Sequence, residues 1–136
     1  MIRAVVLIIQ REGKGLFAKR AKWRTSLPNR WSLPADKIIR DEGVEAAVKR
    51  CAWHELALKV KSFNVLHERH FNVEGEDKTL YFVSVDAEGE AEITHDEITE
   101  IQWLSFEEFF KKYVDEEIGH GLQWLRNNLD IQSDLK

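Results

Sequence analysis

Residues Leu33 to Leu58 read LPADKIIRDEGVEAAVKRCAWHELAL, and the second half of this stretch decides the architecture. From Val44 to Leu58 there is no Gly or Pro, and Val44, Ala47, Val48, Cys51 and Leu58 recur at three- and four-residue steps, the spacing of one apolar helix face. A helix is predicted over Val44–Leu58. Asp41-Glu42-Gly43 reads as its entrance, at the end of a polar stretch from Ala35. Just upstream, Trp31-Ser32-Leu33-Pro34 reads as a short strand.

On the N-terminal side, Val5 to Ile9 is a continuous β-branched run. Arg11-Glu12-Gly13-Lys14-Gly15 is a turn, and Leu16 to Arg20 can pair back as the second arm of a hairpin. Ala21 to Arg30 has no clean period and holds Lys22, Trp23, Arg24, Pro28 and Arg30, so it reads as a basic, aromatic loop. Beyond the helix, Lys61–Phe71 and Thr79–Val85 carry strand patterns separated by Glu74-Gly75-Glu76-Asp77, a second hairpin. Asp86–Asp96 is an acidic loop and Ile98–Leu104 a strand. Ser105 then caps a helix with Glu108 three residues on, and Gly119 and Gly121 punctuate a last helical segment, Leu122–Leu129. Strands and helices interleave with no repeat or linker, which predicts one α+β domain over residues 1–136.

Composition excludes several function classes. With 136 residues a single core can form without a disulfide or structural metal. The 20 Lys and Arg against 24 Asp and Glu leave a formal charge of −4, which argues against binding a nucleic-acid polymer through its phosphates, though not against a local basic pocket. Cys51 is the only cysteine, so no intramolecular disulfide and no four-cysteine zinc site can form within one chain, and a reducing, cytoplasmic setting is expected. No apolar stretch approaches the roughly 20 residues that cross a bilayer, so no membrane partner is expected.

The opening stretch resembles the box of the Nudix family. In that pattern a Gly is followed after five residues by Glu and, after seven more, by Arg-Glu. An apolar residue, a free position, Glu-Glu, a free position, Gly and an apolar residue complete it. Here the opening Gly falls on Asp36, the first Glu on Glu42, the Arg on Arg50 and the next Glu on Cys51. The Glu-Glu pair falls on His54 and Glu55, the second Gly on Ala57 and the last apolar position on Leu58. Glu42, Arg50, Ala52, Glu55 and Leu58 match, whereas Asp36, Cys51, His54 and Ala57 depart. The hairpin at the start, Trp31-Ser32-Leu33-Pro34, and the run from His95 to Ser105 leading into a helix extend the likeness over nearly the whole chain. The resemblance implies an α/β/α sandwich around a mixed central sheet, with a degenerate box at residues 36–58.

The resemblance also implies chemistry. Positions 51, 54 and 55 share one helix face, and three carboxylates there would suit Mg²⁺ or Mn²⁺, hard cations that take oxygen ligands and neutralise charge as water attacks a pyrophosphate. This face reads Cys51, His54, Glu55, and keeps one carboxylate. The family role therefore passes to Glu55 and Glu97 as catalytic candidates, and to Glu55, Glu97 and Glu100 as metal ligands; a charged loop rim is the plainer reading of Glu97 and Glu100. Glu42 and Arg50 are expected to form a structural ion pair. Arg20, Trp23, Arg24 and Trp31 are the substrate-binding candidates, since indoles stack on bases and guanidinium groups grip phosphates. Cys51 and His54, with Glu55, His67, His70 or His95 as third ligand, form a zinc alternative, against the reading of Cys51 as a small core filler. Trp53, Trp103 and Trp124 are assigned to packing. Two functions stand side by side: a pyrophosphohydrolase of a nucleoside diphosphate linked to another moiety, and a module that has kept the fold to bind a nucleotide-like small molecule or a protein partner. The family likeness leaves a homodimer open.

Overall fold

Val5, Val6, Leu7, Ile8 and Ile9 are all buried, so the run that opens the chain forms a strand covered on both faces. The computed structural model describes residues 2–23, 28–73 and 75–128. Strand β1 (Ile2–Arg11) runs parallel to β6 (Glu76–Glu88), from Ile2 opposite Lys78 to Ile9 opposite Val85. Its other edge takes β4 (Ala35–Lys37), antiparallel, with Val5 opposite Asp36. Only Gln10 and Arg11 pair with β2 (Lys14–Arg20), so the expected hairpin is narrow: the buried part of β1 is already flanked by β4 and β6. The connecting turn puts Glu12 at φ 50° and Gly13 at φ 78°, the left-handed pair that a tight hairpin turn demands.

Strand β2 turns away to lie between β3 (Trp31–Ser32) and β7 (Ile98–Leu104), both antiparallel to it. β5 (Lys59–Val73) pairs along β6 and closes the far edge. One parallel and several antiparallel pairings make the sheet mixed. β5 and β6 run longer than the sequence pattern predicts, because polar residues on both arms continue the ladder up to the turn at Gly75. β4 falls in the stretch read as a helix entrance; three residues are too few to show a period.

Alternation along β1 sends its side chains to two cores. Val5, Leu7 and Ile9 pack with Ala47, Val48, Cys51, Ala52 and Leu56 of helix α1 (Val44–Leu56) on one face. Val6 and Ile8 pack on the other face with Phe106 and Phe109 of α2 (Phe106–Lys112) and Leu122 and Leu125 of α3 (His120–Arg126). The result is the α/β/α sandwich. Phe17 and Phe109 stack with ring centroids 3.8 Å apart and pin α2 to the sheet. Ser105 caps α2 as the sequence predicts, its Oγ accepting from the Glu108 N–H at 3.1 Å. α3 starts at His120, earlier than expected, and Leu129 lies outside the described residues. Trp124 packs against the second core and Trp103 against the first, but Trp53 is 61% exposed on the outer side of α1 and does not serve packing.

Candidate functional site

The Glu42–Arg50 pair at the helix entrance is formed. Arg50 donates from Nε and Nη2 to the two oxygens of Glu42, both at 2.9 Å, and from Nη1 to Asp36 Oδ2 at 2.7 Å. A fourth bond goes to the Lys37 carbonyl at 2.6 Å. Glu42 also receives the Ile39 N–H. The guanidinium thus ties β4, the following loop and α1 together. The Arg50 hydrogen bond holds the Glu42 carboxyl below its usual value, and Glu42 and Asp36 push Arg50 further up. Asp36, a departure from the family pattern, is a third brace on the same cation.

The helix ends at Ala57, which stands at φ 57°, ψ 33°. Ala57 N–H donates to Trp53 O at 2.9 Å and Leu58 N–H to Ala52 O at 3.1 Å, a helix stop that normally takes Gly. The family Gly at this position has a plain physical reason, and this chain keeps the conformation without the residue.

On the chemistry-bearing face of α1, Cys51 is fully buried among core residues, and burial pushes its thiol well up. His54 is exposed. Glu55 alone points into a polar site, with its side chain 14% exposed. His95 closes on it, Nε2 to Oε2 at 2.8 Å. The other ring nitrogen, Nδ1, faces the Glu97 N–H at 3.3 Å, so the ring is held between the Glu55 carboxyl and the backbone of its own loop. Thr94 latches the same loop to the helix end, its hydroxyl donating to the His54 carbonyl and, at 3.3 Å, to the Glu55 carbonyl. Burial pushes the Glu55 carboxyl up. His95 pulls it part of the way back by charge and hydrogen bond, and Asp36 and Glu97 push it up again.

The other candidates divide. Glu97 is half-buried beside this pair, close enough to act on Glu55 electrostatically. Glu100 is not: the alternation of β7 sends Ile101 and Trp103 to the α1 side and Glu100 to the opposite one. There it lines a cleft of about 520 Å³ with Lys19, Pro28, Asn29, Arg30, Trp31, Tyr113, Glu116 and Glu117, so three carboxylates face two cationic side chains. Trp31 is 4% exposed, so it is a wall of that cleft, tilted against Tyr113 with ring centroids 5.6 Å apart. Trp23 is 56% exposed on its loop, Arg20 ends β2 half-buried, and Arg24 lies outside the described residues.

The donor set of α1 does not fit a hard divalent cation. One carboxylate remains, and it is engaged by an imidazole; a buried, protonated thiol and an exposed imidazole replace the other two. Among the described residues no three His, Cys, Asp or Glu side chains converge as a metal group. The same burial of Cys51 removes the thiolate that a zinc site needs.

A NUDIX domain family model matches residues 1–125. The chain belongs to the Nudix family. Among solved structures, the MutT NUDIX hydrolase from Burkholderia pseudomallei is 21% identical, with 90% of this chain and 92% of that one covered and a TM-score of 0.76. The MutT protein from Methanosarcina mazei Go1 is 19% identical over 97% of this chain and 94% of that one, at a TM-score of 0.77. The NUDIX domain of Shewanella oneidensis NrtR, solved with ADP ribose, is 14% identical over 95% and 88%, at 0.72. At such identities the likeness to these Nudix structures is one of fold. No curated protein matches the chain. No helix among the described residues is long and apolar enough to cross a membrane.

The sequence marks Glu55 and the Glu42–Arg50 pair, offers His95 only as a zinc candidate, and offers Asp36, a departure from the pattern, with Glu42, Glu97 and Glu100 as a carboxylate that could rebuild the site, whereas the structure spends Asp36 on Arg50. No local signal joins His95 to Glu55, 40 residues away.

Proposed function

We propose that this Nudix chain binds a nucleotide-like ligand, a nucleoside diphosphate linked to a second moiety, without the metal-assisted hydrolysis that its family box implies. The observation that carries the reading is the contact between Glu55 and His95: the last carboxylate of the helix face is spent inside the protein. Retained scaffold supports it as well, since Glu42, Arg50 and Asp36 still fix the loop ahead of α1.

The cleft beside Trp31 has the size and chemistry for such a ligand. At about 520 Å³ it lies within the usual range of small-molecule sites. Lys19 and Arg30 offer cationic groups to phosphate oxygens, Tyr113 offers ring surface, and Glu100, Glu116 and Glu117, which line the same cleft, offer acceptors for ribose hydroxyls and hold the phosphates to the Lys19 and Arg30 side. Arg20 and Trp23 border the same loop and complete the candidate set. ADP ribose, the ligand of the NrtR structure, is a nucleoside diphosphate linked to ribose and is the natural first probe. We assign the chain to the cytoplasm on its single, buried thiol.

One observation favours the competing reading, hydrolysis with Mg²⁺ or Mn²⁺: Glu97 stands near Glu55 and could add a second carboxylate once His95 is displaced. The test is a ³¹P NMR titration of ADP ribose with the protein, first with EDTA and then with Mg²⁺ or Mn²⁺. Shifted diphosphate resonances without product in either condition, weakened by Lys19→Ala, are expected. Metal-dependent release of AMP, lost in Glu55→Gln, overturns the proposal in favour of the hydrolase.

A further inference from the structure

A second cleft lies between the β5–β6 edge and α3, lined chiefly by Arg69, Phe71, Leu80, His120, Gln123 and Trp124, with a volume of about 390 Å³. It is built by strand alternation. His67, Arg69 and Phe71 project from one face of β5, and Leu80 sits directly opposite Arg69 in the ladder. Trp124 of α3 lies over them, its ring centroid 4.8 Å from that of His67 and 4.6 Å from that of Phe82. This cleft is on the α3 side of the sheet, whereas Glu55 and His95 belong to the α1 side.

We infer that this cleft is a ligand site for a small planar aromatic molecule bearing one anionic group, a carboxylate or a phosphate. Arg69 carries the argument. Its guanidinium is laid over two rings, 5.6 Å from the Trp124 centroid and 5.7 Å from that of Phe71. That stacking positions the group while leaving its N–H edge free, the geometry in which Arg takes an anion bidentately. Among the described residues Arg69 has no hydrogen-bond or ion-pair partner. Its neighbour Glu68 is on the other face and pairs with His70 at 3.2 Å.

The rest of the lining selects the same chemistry. It contains no carboxylate, on a chain with 24 Asp and Glu, so a cation has no ligand there and an anion meets no repulsion at the wall. His120 at the rim adds a second donor. Gln123 spends its amide N–H groups on the Asp115 and Ile118 carbonyls, so it shapes the wall and is not a donor to the anion. Phe71, Leu80 and Trp124 supply apolar surface that a bare inorganic anion would leave in water, which argues for a ring on the ligand.

The experiment is a ¹H–¹⁵N NMR titration of the intact chain, read at the Trp124 indole N–H, which Trp124→Phe identifies by its disappearance. The probes are naphthalene-2-carboxylate, 2-naphthyl phosphate, the neutral 2-naphthamide and inorganic phosphate. Both aromatic anions are expected to move the Trp124 signal, and Arg69→Gln to weaken them about tenfold or more, the loss of a charge-assisted bidentate contact. The unchanged spectrum of the remaining amides shows that this exposed substitution leaves the fold intact. A preference for one of the two aromatic anions tells carboxylate from phosphate. Saturation with ADP ribose is expected to leave the response in place, so failure here and failure of the nucleotide proposal are read separately. Equal binding of 2-naphthamide, equal binding to Arg69→Gln, or no movement of the Trp124 signal overturns the inference.

Discussion

Nε2 of His95 stands 2.8 Å from Oε2 of Glu55 and satisfies the one carboxylate that the Nudix helix face retains. The contact gives that carboxylate a partner within the protein. It also draws the loop before β7 onto the end of α1, where Thr94 secures it.

Glu55 carries a pH signature. Burial raises its pKa in the folded chain above the ordinary value of 4.5, so the native state holds that proton more tightly than the unfolded state. The group's contribution to stability is therefore complete below about pH 4.5 and is lost as pH rises through the folded value. Glu55→Gln keeps an acceptor for His95 without the buried charge. Thermal melts are expected to show this variant more stable than the parent at neutral pH, with the gap closing in acid. A variant less stable at neutral pH would mean that the pairing with His95 outweighs the cost of burial.

Arg50 works in the opposite direction through Glu42. Its hydrogen bonds depress the Glu42 pKa, so this stabilisation is present above about pH 4.5 and fades as pH falls through the folded value. Arg50→Lys loses the fork that holds Glu42, Asp36 and the Lys37 carbonyl together, at a cost of about 2 kcal/mol. Urea unfolding at neutral pH and at pH values below that of the free carboxyl measures both parts. The penalty is expected to shrink in acid, and a pH-independent penalty would assign it to lost packing.

How much of this was legible in the chain is clearest at these residues. Val5–Ile9, the periodicity over Val44–Leu58 and the Ser105 cap are local patterns, and the structure follows them except that α1 stops at Leu56, where Ala57 turns left-handed. The Glu42–Arg50 pair was legible because both partners sit in one motif. The Glu55–His95 contact was not, since it depends on how the loop before β7 folds back over α1, and no spacing rule encodes that. Nor could the sequence place Glu100, because its face follows from the register of β7 against β2. Asp36 shows the converse: a mismatch to the motif has a positive structural use that only its distance to Arg50 reveals.

Ala57 pays for a conformation that Gly adopts freely, at φ 57°. Ala57→Gly is expected to stabilise the fold by about 0.5–1 kcal/mol, the left-handed penalty less the added freedom of the unfolded chain. Denaturant midpoints decide it. A loss of stability would show that the Ala57 methyl contributes more packing than its strain costs.

Cys51 should be silent to thiol reagents. It is fully buried and its pKa is raised, so almost no accessible thiolate exists near neutral pH. Ellman's reagent is expected to titrate one thiol per chain in denaturant and none within the same time in the native state. Prompt native labelling that Zn²⁺ blocks would restore the zinc alternative for Cys51 and His54.

The most direct measurement of the central claim is calorimetric titration of ADP ribose into the protein, once with EDTA and once with excess Mg²⁺. A ligand held by Lys19, Arg30 and the Trp31 cleft without a bridging cation gives the same dissociation constant in both, with no heat of turnover. Binding that appears only with Mg²⁺, or a sustained heat of hydrolysis that Glu55→Gln abolishes, would contradict the account.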